Sequence, residues 1–194
     1  MIDYQKVIDY YYPEETMPEL REILVKHSRY VAELAAKVCE AHPELKADKD
    51  FVYAAAMLHD IGIVRCDATG IHCHGTEPYL CHGVIGAQMI QEAGMLDADD
   101  ACAVARVCAR HTGTGLTAEN IRERKLPLPE EDLVPETVEE QIICYADKFF
   151  SKTHLDYHKS YEQALHSLEK FGEHGVKVFS EWHKRFHVES DEGR

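Results

Sequence analysis

The stretch Ala54-Ala55-Ala56-Met57-Leu58-His59-Asp60-Ile61-Gly62 constrains this chain most. An unbroken apolar run ends in a His-Asp pair, and a glycine follows after one residue. The run reads as a buried helix whose last turn delivers His59 and Asp60 where the chain leaves the core. Adjacent helical side chains diverge by about 100°, so the pair reaches two points of one pocket. Imidazole and carboxylate are both good ligands for a divalent first-row metal. By itself the pair is equally compatible with an aspartate capping a turn beside a satisfied core histidine. The rest of the chain has to decide.

Helical periodicity recurs along the chain. A short amphipathic pattern over 3–12 is broken at Pro13. A second helix is predicted to start at Thr16-Met17-Pro18, with proline in the first turn and Glu19 suited to the helix dipole. Leu20, Leu24, His27, Val31, Leu34 and Val38 then share one face, which sets His27 inside an apolar stripe. Asp48 to Leu58 is the next helix, with Asp48 as N-cap. Residues 63–81 read as a long loop carrying Cys66, His72, Cys73, His74 and Cys81. Their spacings match no standard zinc pattern, so a structural zinc is disfavoured. His82 opens a helix in which Gly83, Gly86 and Ala87 let a neighbouring backbone approach. Asp97 to Arg110 is another, ending at His111 before Gly113 and Gly115.

Thr117 to Lys125 reads as a short capped helix, and 126–136 as a proline-bearing strap. Thr137-Val138-Glu139-Glu140 reads as a capping box opening an apolar helix on which Asp147 stands beside Lys148. A carboxylate in such company is costly unless it is paired or bound to metal, the plainer readings being a buried salt bridge or a solvent-facing turn of the helix. Ser160 to Val188 reads as one or two helices split near Phe171-Gly172, with His166, His174, His183 and His187 on the surface. The tail 189–194 is expected to fray. No stretch reads as a convincing strand. The expectation is an all-α fold, a compact single-domain bundle of about seven to nine helices spanning 1–194, with a core at 17–152 and a C-terminal helical extension at 153–188.

The formal net charge of −14 disfavours a phosphate-neutralising face, so no stable nucleic-acid partner is expected. A small phosphorylated substrate in a local cationic pocket remains compatible with it. No apolar run approaches the ~20 residues of a membrane span, and the N-terminus shows no basic flank leading into an apolar stretch. Together with an odd cysteine count of seven, this makes a reduced, cytoplasmic setting the expectation.

Taken in order, His27, His59-Asp60, His82, His111 and Asp147 come from five helical segments. With His-Asp-Ile-Gly at 59–62, this order resembles the HD superfamily of metal-dependent phosphohydrolases, and most of all its HDIG-motif branch. The resemblance runs from about residue 25 to 150 and includes His27-Ser28, His82-Gly83 with Gly86-Ala87, Arg110-His111 and Ala146-Asp147. It implies a helical bundle around a metal held by His27, His59, Asp60 and Asp147. His82 and His111 look like the extra ligands of the two-metal subgroup, in which Asp60 would bridge the ions. Paired metals ~3.5–4 Å apart polarise a phosphoryl oxygen and generate hydroxide from water. The donor set suits iron or manganese, with cobalt or nickel also compatible.

The implied function is hydrolysis of a phosphoester or phosphoanhydride, a nucleotide among the candidate substrates, with a homo-oligomer compatible. Relatives often carry a lysine after His-Asp-x-Gly. Here that position is Ile63, so the phosphate-facing cation is sought among Arg65, Arg110, Lys148 and Lys152. Asp60, Arg65 and Lys148 are the candidate catalytic residues. The same ligand order also resembles the diiron oxygenases of this fold, such as myo-inositol oxygenase, which makes oxygen chemistry the alternative. A non-catalytic scaffold is the third reading.

Overall fold

The computed structural model describes residues 2–188; Met1 and the tail 189–194 lie outside the described residues. The fold is helical, as the periodicity predicts. Among the described residues the α-helices are α1 (Tyr4–Tyr11), α2 (Pro18–Ala41), α3 (Lys49–Leu58), α4 (His82–Ala93), α5 (Ala98–Arg110), α6 (Ala118–Glu123), α7 (Val138–Asp147), α8 (Tyr161–Leu168) and α9 (Glu173–Phe186). No helix among them is long and apolar enough to cross a membrane.

Local chemistry sets the helix starts. Asp48 caps α3 by accepting from the Asp50 and Phe51 amides at 3.1 Å. Pro18 opens α2, whose N-cap Met17 offers no side-chain bond. Thr137 accepts from the Glu140 amide, but the reciprocal half of the expected capping box does not form. The buried Glu140 carboxylate is taken instead by Arg106 at 3.0 Å, Arg110 at 3.1 Å and the Glu136 amide at 2.8 Å. A buried anion between two guanidiniums is better satisfied than one reaching a single amide.

The long loop departs from the sequence reading, which expected no strand. It holds a small antiparallel hairpin, β1 (Asp67–Ala68) and β2 (Cys73–His74), with Asp67 opposite His74 and Ala68 opposite Cys73. Strands of two residues are too short to show an alternating pattern, so nothing in the sequence announces them.

α4 packs along α5, α2 packs along α3, and α7 closes over α2. Leu20, Leu24, Val31 and Val38 of α2 are buried together with His27 on the same stripe. The C-terminal helices divide at Gly172, whose φ of 100° suits glycine. α9 buries Phe179, Trp182 and Phe186 and packs against α7. His183 is not the surface residue the sequence suggested. It stacks on Tyr161 with ring centroids 3.9 Å apart and shares a hydrogen bond of 2.8 Å between its Nδ1 and the Tyr145 hydroxyl. Its position on the same face of α9 as Phe179 and Phe186 turns it inward.

Candidate metal centre

Five segments aim six side chains at one point. His27 lies mid-way along α2, and His59 stands at the C-terminus of α3 with Asp60 next to it. His82 is the first residue of α4, His111 follows the last residue of α5, and Asp147 ends α7. Glycines make the convergence possible. A Cβ on Gly62 would overlap the carbonyl oxygen of His82 and the amide of Gly86, and one on Gly83 would overlap the carbonyl oxygen of Cys108. The turn after Asp60, the start of α4 and the end of α5 therefore sit closer than any larger residue allows.

Asp60, fully buried, is the hub. Its Oδ2 lies 3.1 Å from His27 Nε2 and 3.1 Å from His59 Nε2. Its Oδ1 lies 3.3 Å from His82 Nε2 and 3.4 Å from His111 Nε2. Asp147 Oδ1 completes the first group, 3.1 Å from His27 Nε2 and 3.5 Å from His59 Nε2. Two ligand groups thus form: His27, His59, Asp60 and Asp147; and Asp60, His82 and His111. They meet on the two oxygens of one carboxylate.

The hydrogen bonds behind this cluster fix its chemistry. His59, His82 and His111 each place Nδ1 on the carbonyl three residues earlier: Ala56 at 2.6 Å, Tyr79 at 2.7 Å and Cys108 at 2.7 Å. A carbonyl can only accept, so Nδ1 carries a hydrogen, and each ring in its neutral form offers a lone pair at Nε2. Metal-binding histidines are held in the same way. His82 Nε2 and His111 Nε2 then face each other at 2.9 Å, two acceptors beside a carboxylate oxygen. His59 Nε2 and Asp60 Oδ1 are buried without a partner in hydrogen-bond geometry, and Asp60 Oδ2 has the Lys152 ammonium 2.6 Å away but no bond of that geometry. Converging acceptors of this kind need a cation, and the nitrogen and oxygen donors fit a divalent transition metal.

Charge favours the same outcome. Burial opposes ionisation of Asp60, but His59 and Lys152 outweigh it and hold the carboxyl well below the usual range. Asp147 is likewise held low against burial, chiefly by Lys148. Burial also opposes a proton on His59, yet the Asp60 and Asp147 carboxylates push that imidazole up to about 9. At His82, burial and the neighbouring His111 push the value down to about 3. The Asp147 side of the centre therefore attracts positive charge strongly, while His82 stays an unprotonated donor.

A cavity of about 330 Å³ opens on this cluster, with His82, His111 and Asp147 in its wall. Lys148 lies in that wall too, donating to Asp147 Oδ2 at 2.7 Å and to the His111 carbonyl at 2.8 Å. Lys152 brings its ammonium within 2.6 Å of Asp60 Oδ2. Arg65 is not brought to the cavity. The 3-10 turn Ile61–Arg65 carries its side chain round to the exposed surface. Arg110 is committed to Glu140 and Glu136. Ile63 is fully buried, so the position directly after His-Asp-Ile-Gly faces the core here.

The sequence reading also missed several wall residues. Tyr79 stacks on His82 with centroids 4.8 Å apart, and Phe150, Lys159 and Lys170 line the same cavity. Tyr79 precedes His82 by three residues, the spacing of its carbonyl bond, which is the one signal that pointed to it. Lys159 and Lys170 carry none.

Residues 24–151 match the family model of the HD domain. A tRNA (cytidine(56)-2'-O)-methyltransferase of Picrophilus torridus is 31% identical over 67% of this chain. One of the same name from Thermoplasma volcanium is 34% identical over 67% of it. The match spans only about a third, 32%, of the length of each. An uncharacterized protein of Methanocaldococcus jannaschii is 34% identical over 68% of this chain and 69% of its own length. Among solved structures, the HD domain of the L. monocytogenes phosphodiesterase PgpH superposes with a TM-score of 0.51 at 16% identity, covering 94% of this chain and 95% of that one. The same domain has also been solved in complex with cyclic-di-AMP.

Proposed function

The chain belongs to the HD-domain family, and on that premise we propose that it is a metal-dependent phosphohydrolase acting on a small phosphorylated substrate, a nucleotide among the candidates. One observation carries the reading: two groups of acceptors share the Asp60 carboxylate, and His82, His111 and Asp147 of those groups line a cleft whose wall also holds lysines. His27, His59, Asp60 and Asp147 would hold one ion, and Asp60, His82 and His111 a second, iron or manganese being the preferred metals. Bound ions would supply an activated water and polarise the phosphoryl oxygen.

The remaining roles fall to the chain itself. Lys148 and Lys152 offer ammonium groups to an entering phosphate and to the charge that grows on it as the ester bond breaks. Lys152 takes the part that the lysine after His-Asp-x-Gly plays in relatives, because Ile63 is turned into the core. Carbonyl bonds hold the His59, His82 and His111 rings in one tautomer, so these three need little reorganisation on binding.

Two kinds of relative support different substrates. The phosphodiesterase neighbour, crystallised with cyclic-di-AMP, supports a nucleotide. The name of the two archaeal methyltransferases belongs to proteins of which this match spans 32%, and the cleft's ligands suit hydrolysis better than methyl transfer. Metal analysis of the purified protein, with phosphate release from nucleotides, cyclic dinucleotides and a generic phosphodiester, tests the reading. About two equivalents of metal with hydrolysis support it. Two irons that consume oxygen with an organic substrate, and no phosphate release, would replace it with oxygenase chemistry.

A further inference from the structure

Beyond the residues matched by the family model, the chain returns to the cleft and adds a second cationic wall. The Lys159 amide donates to the Phe149 carbonyl at 2.8 Å, and His158 bridges to Phe150. This main-chain strap fixes Lys159 beside the end of α7. Ser167 on α8 and Lys170 on the following 3-10 turn line the same cavity.

Lys159 differs from the two lysines nearer the cluster. Lys148 and Lys152 each have a carboxylate, at 2.7 and 2.6 Å. Lys159 is half-buried in the cavity wall, and its ammonium makes no ion pair or side-chain hydrogen bond among the described residues. Burial lowers its pKa, with Lys148, Lys170 and Lys152 adding to the effect against the pull of Asp147. An ammonium held part-way out of water among other lysines awaits an anion. The whole chain carries −14, so this concentration of lysines is local.

We propose that Lys159, with Lys170, forms a second anion subsite that receives another phosphoryl group of the substrate while the first lies at the metal cluster. The preferred substrates thus carry two phosphoryl groups. The proposal rests on the phosphohydrolase reading for the location of the first group.

Calorimetric binding to the Mn2+-loaded full chain tests it without relying on turnover. Adenosine 3',5'-bisphosphate is compared with adenosine 5'-monophosphate, and pyrophosphate with inorganic phosphate. In at least one pair the ligand with two phosphoryl groups is expected to bind about tenfold tighter, the worth of one charge-assisted hydrogen bond. Lys159→Met should collapse that ratio towards one, while Lys159→Arg should keep most of it. Equal affinities within both pairs in the unmodified protein, or a margin that survives Lys159→Met, would overturn the subsite. The unmodified protein alone gives the first of these answers if a variant fails to fold. Tenfold discrimination without hydrolysis would sink the phosphohydrolase reading and keep the subsite. Hydrolysis without discrimination would do the reverse.

Discussion

The Lys152 ammonium lies 2.6 Å from Oδ2 of Asp60, the oxygen that also faces His27 and His59. A lysine on this oxygen competes with any ion that would use it. Opposite effects on metal and substrate follow. Lys152→Met should tighten Mn2+ binding by about tenfold, since a like charge is removed from the site. It should also raise KM for the phosphorylated substrate, which loses an ammonium partner. Calorimetry on the metal-free protein and steady-state kinetics would read the two; unchanged or weaker metal binding would show that Lys152 does not compete.

Asp60 serves both ligand groups, so its loss should be felt at both. Asp60→Ala is expected to weaken binding of either ion by more than about 100-fold, a ligand mattering at least as much as its supporting partners. The loss should also appear as stability. A ligand at about 100 times its Kd stabilises a folded chain by about 2.7 kcal/mol. Added Mn2+ should therefore raise the unmodified protein's melting temperature and leave that of Asp60→Ala nearly unmoved. A comparable rise in both proteins would place the binding elsewhere.

Gly62 separates a packing role from a ligand role. Its substitution by alanine would drive a Cβ into the His82 carbonyl and the Gly86 amide, whereas a Cβ at Gly70 meets nothing within 4 Å. Gly62→Ala should destabilise by about 1–3 kcal/mol and weaken binding at the His82–His111 group by displacing α4. Gly70→Ala should be near neutral. Chemical denaturation of both variants checks the contrast, and equal stabilities would contradict the close approach.

His183 links the C-terminal helices to acid sensitivity. Burial, and then His187, lower its pKa below the ordinary histidine value. The folded protein therefore refuses a proton that the unfolded chain accepts as pH falls through about 6.5. The stability from neutral His183 is present above that pH and is lost as pH falls towards the folded value. His183→Phe removes this titration and keeps the stack on Tyr161. Between about pH 7.5 and about 5.5, its melting temperature should fall less than that of the unmodified protein. A parallel fall would show that His183 contributes nothing to the acid sensitivity.

Much of the site was legible from residue order. The His59-Asp60 pair after an apolar run, His27 on a buried stripe, and His82 and His111 at glycine-flanked helix ends all stand out because helical periodicity shows which side chains face inward. The same periodicity could not place Arg65 or Arg110. One ends a tight 3-10 turn that swings it to the surface, and the other is held by Glu136 and by a buried Glu140 that the sequence presented as a helix cap.

By itself, the sequence determined the helical class, the start of several helices and the set of imidazoles and carboxylates carried inward, because these depend on spacing along one element. Tertiary structure alone decided which oxygen of Asp60 faces which histidines, and that His27 and Asp147, 120 residues apart, lie at 3.1 Å. It also turned Ile63 into the core and brought Lys152, Lys159 and Lys170 to the cleft. Those outcomes depend on how separate elements pack, and a lysine in a connecting segment looks the same in sequence whether it ends in solvent or against a buried carboxylate.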